Sequence, residues 1–351
     1  MAEINPINAH PKFTDFAFVI QGGITKGHRV DTEIIKYILK IRRYFPLNDI
    51  IVSCWDVTPN DKLVLEKISS YHRVQFIFNQ DPGCISKVYK GVRYNCNINR
   101  MIVSTINGVI ASNKDYIIKI RSDSYFDSNN LERFLTVFYN EKNPNLERDD
   151  NYSVFEERVV NCNLFARNPR SYLPYLFHPG DIFLAGKKND LIKLFSVKLA
   201  DENIFESHRR KCFFTLMRLV PEQYLWVNCI KAFKKVDVYG SNKDFSEKFL
   251  IESERFYVNN FYVLEPETVQ FVWPKHKLQY HNKGKFSVYD TFDWFYLYNK
   301  YVLNHEENKS NKRLGREVII FFMKLYFLVR TNLMMIPLLR MLAIKIFNKR
   351  S

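Results

Sequence analysis

Polar side chains follow several short apolar segments of this chain, and one such group could hold a metal ion and a phosphate. Residues 116–120 form an apolar, β-branched run that leads directly into Arg121, Ser122 and Asp123. In open α/β sheets, ligands bind beyond the carboxyl ends of the strands. A carboxylate there can hold a divalent cation against a diphosphate. Asp123 is therefore a candidate metal ligand, although an isolated Asp after a strand could equally cap a helix or lie in a solvated turn.

Five further residues follow predicted strands or begin a predicted helix, and they are candidates for contacts with a phosphate or a sugar: Gln21, Gly22, Asp81, Asn99 and Arg100. Gly22 would let the backbone pass close to a ligand, and Arg100 could pair with a diphosphate. Each also has an ordinary alternative, in a turn or at a helix start that Asn97 caps. Neither the G-x-G-x-x-G dinucleotide fingerprint nor the G-x-x-x-x-G-K-[ST] phosphate loop occurs.

Two acids are candidates for a general base that removes a proton from an attacking hydroxyl. Asp181 ends the sequence His-Pro-Gly-Asp before a predicted strand, and Glu222 follows Pro221 at the start of a predicted helix. An acid in that second position also suits the helix dipole without any catalytic role. His281 is a candidate for an additional metal ligand, although a lone His is more often structural.

Alternating strands and helices are predicted to bring these residues together. In the first half, the predicted strands are 16–20, 50–55, 74–78 and 116–120, and the predicted helices are 32–45, 59–70 and 97–111. In the second half, the predicted strands are 159–165, 181–184 and 257–264, and the predicted helices are 191–195 and 222–233. This alternation predicts a single α/β domain over residues 1–310, with a mostly parallel sheet flanked by helices, and a tail over residues 311–351.

Composition and charge exclude several classes of protein. Six scattered Cys without a C-x-x-C pair argue against a zinc site and a disulfide scaffold, and the N-terminal segment has no signal-peptide pattern. We therefore expect a cytoplasmic location. The net charge is +15, but residues 312–351 alone carry nine Lys or Arg and one Glu. Because the charge is concentrated in the tail and no nucleic-acid-binding motif occurs, nucleic acid is not an expected partner.

The basic tail has the composition of a helix that lies on an anionic membrane. Its apolar stretches are interrupted by four basic residues: Lys324, Arg330, Arg340 and Lys345. No apolar run therefore reaches the roughly 18 residues that a transmembrane helix needs. Pro337 should divide the helix into two pieces. The alternative is a helix packed on the main domain, with its basic side chains reaching outward.

Nine short motifs occur in a familiar order: 18–22 (FVIQG), 41–46 (IRRYFP), 51–55 (IVSCW), 81–83 (DPG), 97–100 (NINR), 104–105 (ST), 119–123 (KIRSD), 178–181 (HPGD) and 221–224 (PEQY). In these motifs the chain resembles the WavE lipopolysaccharide-synthesis family of bacterial glycosyltransferases, over about residues 15–230. The resemblance implies a GT-A-like, Rossmann-type fold, with a donor half at about 13–157 and an acceptor half at about 158–310.

The resemblance also implies how a donor would be held. The sequence Arg-Ser-Asp at 121–123 stands where such enzymes carry a D-x-D metal motif, so a divalent cation, Mn²⁺ or Mg²⁺, is expected at Asp123. The first acidic position of that motif is occupied by Arg121. Arg121 could take over part of the cation's role by pairing with phosphate or with Asp123 itself.

The function implied by the resemblance is transfer of a sugar from a nucleotide-sugar donor to a lipid-linked, lipopolysaccharide or capsule glycan. The enzyme would work at the inner face of the cytoplasmic membrane, with Glu222 or Asp181 as the base. Two alternatives stay open. One is a sugar nucleotidyltransferase, against which the missing glycine-rich basic loop counts. The other is a non-catalytic, membrane-associated scaffold of a polysaccharide assembly complex.

Overall fold

The computed structural model describes residues 11–339 and 341, apart from residues 28, 90–91, 211–212, 235, 237, 276–283 and 306–310. The strands are β1 (Phe16–Gln21), β2 (Thr25–Lys26), β3 (Arg29–Val30), β4 (Asp49–Trp55), β5 (Val74–Asn79), β6 (Ile85–Tyr89), β7 (Val92–Cys96), β8 (Tyr116–Arg121), β9 (Tyr125–Phe126), β10 (Val159–Cys162), β11 (Phe183–Lys187), β12 (Phe205–Arg210), β13 (Phe213–Met217), β14 (Phe261–Leu264) and β15 (Phe271–Val272). The helices are α1 (Thr32–Tyr44), α2 (Pro59–His72), α3 (Ile98–Ala111), α4 (Asn130–Val137), α5 (Lys188–Phe195), α6 (Pro221–Lys234), α7 (Glu247–Asn260), α8 (Thr291–Tyr301) and α9 (Asn311–Leu333).

The central sheet contains seven strands in the order β14-β10-β11-β8-β1-β4-β5. Strands β8, β1, β4 and β5 run parallel to one another, and β10 runs parallel to β14. Strand β11 is antiparallel to both of its neighbours, β8 and β10. The predicted α/β class is confirmed, with a mostly parallel sheet flanked by helices, and it agrees with the GT-A-like arrangement that the resemblance implies. Strands from both halves of the chain share this sheet.

Helix α3 lies tightly against the sheet, which brings its N-terminal turn to the carboxyl ends of the strands. A Cβ atom at Gly108 would lie 2.6 Å from Val19 Cγ1 and 3.0 Å from Ser53 Cβ, so there is no room for a larger residue. The Ser104 hydroxyl donates to Gln21 Oε1 at 2.9 Å. The face of β1 that α3 covers is therefore the face that carries Gln21.

The strand predicted at 257–264 is wrong in its first half. Helix α7 continues to Asn260, and the strand begins only at Phe261. Aromatic and β-branched residues favour a strand locally. However, the buried side chains of Asn259 and Asn260 accept hydrogen bonds from the backbone N–H groups of Asp149 and Val154, each at 2.7 Å. These long-range bonds stabilise the last helical turn, and local sequence does not reveal them.

The tail forms the predicted helix, α9, which ends at Leu333, before Pro337 as expected. One face packs on the main domain, since the Phe327 ring stacks on Tyr172 with centroids 4.7 Å apart. The opposite face, which we call the outer face of α9, carries exposed apolar side chains: Leu314, Val318, Ile319, Phe321, Phe322, Leu325, Tyr326, Val329 and Leu333. Within the ranges given above, no helix is long and apolar enough to cross a membrane.

Candidate active site

The carboxyl ends of β1 and β8 form a tight polar edge. Gln21 and Arg121 are neighbours in the parallel register of these strands. The chain turns at Gly22 with a φ of +119°, and a Cβ there would lie 3.1 Å from Ser122 Oγ. The Ser122 hydroxyl donates to the carbonyl of Gly23 at 2.7 Å. The two turns are thus held against each other, and both predicted residues, Gln21 and Gly22, lie beside Arg121.

Asp123 folds back onto Arg121 at this edge. Arg121 donates from Nε to Asp123 Oδ1 and from Nη2 to Oδ2, both at 2.8 Å, and each side chain is 32% exposed. The Ser124 hydroxyl donates to the carbonyl of Arg121 at 2.6 Å, which closes the turn. Burial acts to raise the pKa of Asp123, but the hydrogen bonds and charge of Arg121 outweigh it, so the pKa lies below its usual value. Asp123 is therefore an ionised partner of Arg121.

The residues at this edge do not fit a metal held by the protein. Both oxygens of Asp123 already accept from Arg121, so the guanidinium balances the negative charge that a cation would need. In the part of the chain that the structure describes, no three His, Cys, Asp or Glu side chains are grouped so that they could hold a metal ion. His281, the other predicted metal ligand, lies outside the described residues.

A fully buried ion pair lies next to this edge. Lys119 precedes Arg121 by two residues on β8, so both side chains lie on the same face of the strand. Lys119 is 0% exposed, and it donates to the backbone carbonyl of Asp181 and to Asp181 Oδ2, the latter at 3.2 Å. Burial lowers the pKa of Lys119, whereas the charge of Asp181 opposes that change. In the sequence, the only hint of this pair is Lys119 itself, a charged residue in the middle of the apolar run 116–120.

The direction of β11 brings Asp181 to the site. Phe183 begins β11 and pairs with Ile120 at the carboxyl end of β8, because β11 is antiparallel to β8. The residues just before β11 therefore reach the same edge as the residues just after β8. Gly180 has a φ of +80°, and a Cβ there would lie 3.0 Å from the backbone nitrogen of Ala166. Only glycine suits this turn of the His-Pro-Gly-Asp motif.

Glu222, in the first turn of α6, is the third predicted acid of this site, beside Asp123 and Asp181. Its side chain is 15% exposed, and its Oε2 lies 3.4 Å from Nε2 of the buried His178. Burial, and then the negative charge of Asp181, raise the pKa of Glu222 to about 7, although Arg167 and Lys119 act in the opposite direction. Burial, with the charge of Arg167, holds the pKa of His178 well below its usual value, so the imidazole is neutral. Glu222 is thus poised to exchange a proton near neutral pH.

The remaining predicted residues are engaged with the protein itself. Arg100 donates from Nε and Nη2 to the two carboxylate oxygens of Asp81, at 2.7 and 2.6 Å. This pair is partly exposed and follows β5. Asn99 is nearly buried, and its amide both donates to the carbonyl of Ala200 and accepts from its N–H, at 2.9 and 2.8 Å. Asn99 therefore holds a loop in place, and it is not directed at the edge of the sheet.

Comparison with known proteins identifies a family. A family model described as WavE lipopolysaccharide synthesis matches residues 16–326. No curated protein matches the sequence closely enough to count as a relative.

Several solved structures are similar to this chain, all at low TM-scores. A mannosyltransferase from Pyrobaculum calidifontis, in complex with GDP-Man and Mn²⁺, has 10% identity and a TM-score of 0.33, over 57% of this chain and 54% of its own. A cytidylyltransferase from Leptospira borgpetersenii has 12% identity and a TM-score of 0.35, over 85% and 99%. Residues 1–349 of S. aureus TarS have 12% identity and a TM-score of 0.29, over 92% and 74%. Similarity at this level does not identify a substrate.

Proposed function

Because the chain belongs to the WavE lipopolysaccharide synthesis family, we propose that it is a glycosyltransferase that uses a nucleotide-sugar donor. The acceptor would be a lipid-linked glycan of lipopolysaccharide or capsule. The observation that carries the proposal is the pairing of two chemistries at one sheet edge. Arg121 is a partly exposed cation suited to a diphosphate. Glu222 is a nearly buried acid with a pKa of about 7, suited to take a proton.

In this proposal the donor diphosphate lies beyond β1 and β8, next to Arg121, with Gln21 and Gly22 against it. In an inverting transfer, the acceptor oxygen forms a bond to the anomeric carbon while the bond to the diphosphate breaks. The nucleoside diphosphate leaves with the electron pair, and Glu222 accepts the proton of the acceptor hydroxyl. Asp181 suits this role less well, because Lys119 already holds it.

The transfer described above does not require the metal that was predicted at Asp123. A divalent cation at Asp123 would compete with Arg121, which already makes two charge-assisted hydrogen bonds to the carboxylate. The division into a donor half at 13–157 and an acceptor half at 158–310 stays part of the proposal.

We expect one nucleotide sugar to stabilise the protein against heat. A ligand at about 100 times its Kd adds roughly 2.7 kcal/mol to the free energy of unfolding, which raises the Tm by a few degrees. A screen of UDP-, GDP-, TDP- and CMP-sugars by thermal unfolding would identify the donor, and a transfer assay with isolated lipopolysaccharide would follow. If none of these sugars changes the Tm and none is transferred, the proposed function is wrong.

We also propose that the outer face of α9 lies on the anionic, cytoplasmic face of the membrane. Nine large apolar side chains are exposed there, far more than a water-exposed helix normally carries. The exposed residue Arg330 lies at the border of this face and suits anionic headgroups. The packed inner face would orient the helix on the main domain, which would hold the enzyme close to a lipid-linked acceptor.

Changing Phe322, Leu325 and Val329 to Ser should weaken binding to vesicles that contain phosphatidylglycerol. Burial of a large apolar side chain contributes about 1.5–3 kcal/mol, so the loss of three should lower partitioning by more than about 100-fold. Vesicle co-sedimentation would measure it. The matched control changes Leu63 and Tyr71, two exposed apolar residues of α2, to Ser. Equal binding by both variants would contradict the proposal.

A further inference from the structure

We infer that Arg121, oriented by Asp123, supplies the positive charge that holds the donor diphosphate, so that donor binding needs no divalent metal. This inference rests on the proposed function and concerns the same edge of the sheet. It differs from the D-x-D expectation, in which the carboxylate holds a cation and the cation holds the phosphates. Here the carboxylate holds the guanidinium of the protein itself.

The hydrogen-bonding capacity of Arg121 supports this arrangement. A guanidinium has five N–H donors. Asp123 takes one from Nε and one from Nη2, which leaves both N–H groups of Nη1 and one of Nη2. Among the described residues, no acceptor takes these three. The side chain is 32% exposed at the carboxyl edge, where a ligand can reach it. The remaining donors match the spacing of phosphate oxygens.

The surroundings of Arg121 hold the guanidinium in one orientation. The Trp273 ring centroid lies 5.5 Å from its central carbon. The turn that carries Asp123 is closed by Ser124 and packed on Gly23. A preorganised cation costs little entropy when a ligand binds. Asp123 is thus a positioning residue for Arg121, and its negative charge is balanced by the guanidinium.

The charge of the neighbouring Lys119 is already paired with Asp181 inside the protein. Lys119 is fully buried and is bonded to Asp181, so it cannot reach a ligand at the surface of the edge. Arg100 is likewise held by both oxygens of Asp81. Arg121 differs from Lys119 in exposure, and it differs from Arg100 in lying on β8, next to Gln21 and Gly22.

Calorimetry with UDP, GDP and TDP tests the inference, with each nucleotide added in excess EDTA and again with Mg²⁺ or Mn²⁺. The full chain should bind one of them with a similar Kd in both conditions. Arg121→Gln should raise that Kd about 10- to 100-fold, because hydrogen bonds to a charged group contribute about 1.5–3 kcal/mol. Asp123→Asn should raise the Kd by less, and equally with and without metal, since it only loosens the guanidinium.

The control is Lys243→Gln, which removes one cation paired with an acid, Glu206, away from the site; its Kd should not change. Thermal unfolding of each variant without nucleotide shows whether it folds. Binding that disappears in EDTA, and that Asp123→Asn abolishes while Arg121→Gln does not, would overturn the inference but leave the proposed function standing. Failure of the unmodified chain to bind any of the three nucleotides, with or without metal, would instead overturn the proposed function.

Discussion

Replacing Glu222 by Gln is expected to slow sugar transfer by about 10²- to 10⁴-fold at neutral to slightly alkaline pH, because an amide cannot accept the proton of the acceptor hydroxyl. Donor binding is expected to change little, since Arg121 and Asp123 are untouched. A steady-state assay with donor and acceptor would measure kcat, and calorimetry would measure the affinity for the donor. A fall in kcat without a change in donor affinity would identify Glu222 as the base.

The pH dependence of the unmodified protein is an independent check on Glu222. Burial first, and then the charge of Asp181, raise its pKa to about 7. Below that pH the carboxyl group is protonated and cannot act as a base. The rate of transfer should therefore rise with pH through about 7 and level off above it. In Glu222→Gln this rise should be missing.

For this test, the Glu222→Gln variant must stay folded, so that any loss of activity comes from the missing base. An acid whose pKa is raised in the folded state lowers stability as the pH increases from its unfolded-state pKa through its folded pKa, here about 7. Glu222→Gln removes this cost and should be at least as stable above that pH. The matched control is Glu247→Gln, an exposed Glu in the first turn of α7. If Glu222→Gln transfers sugar as fast as this control, the base is another group.

Replacing Lys119 by Met is expected to lower the free energy of unfolding by about 3–5 kcal/mol, because it leaves the carboxylate of Asp181 buried without its partner. Lys119 is fully buried, and the side chain of Asp181 is only 5% exposed, so water cannot replace the lost contact. Met keeps most of the volume of the side chain, so little of the effect should come from a cavity. Urea unfolding at neutral pH would measure the change.

A double variant separates the lost charge from lost packing. Adding Asp181→Asn to Lys119→Met removes the unpaired charge and should restore part of the stability. Lys36→Met is the control, since Lys36 pairs with Glu33 on the surface of α1 with both side chains more than half exposed. Exposed pairs contribute little to stability, because water screens both charges. If Lys119→Met were as stable as Lys36→Met, the buried pair would not stabilise the protein.

Local sequence patterns were sufficient for the four central-sheet strands of the first half and the three helices between them, but not for the β6–β7 hairpin or α4. The apolar runs before Gln21 and Arg121 became β1 and β8, and Asp31 caps α1, with its side chain accepting from the N–H of Glu33. These elements follow from side-chain periodicity and caps, which act between residues a few positions apart. The pattern misled at 257–260, where Asn259 and Asn260 stabilise a helix through distant partners.

The sequence by itself determined the family, the α/β class, the strands and helices of the first half that form the central sheet and its crossovers, and the end of the tail helix before Pro337. It also determined that Arg121 occupies the first position of the expected acidic motif. Only the tertiary structure decided which charges meet. Asp181 reaches Lys119 because β11 runs antiparallel to β8, so its start lies at the carboxyl edge. Strand order and direction decide which distant residues become neighbours, and local residue patterns carry little information about either.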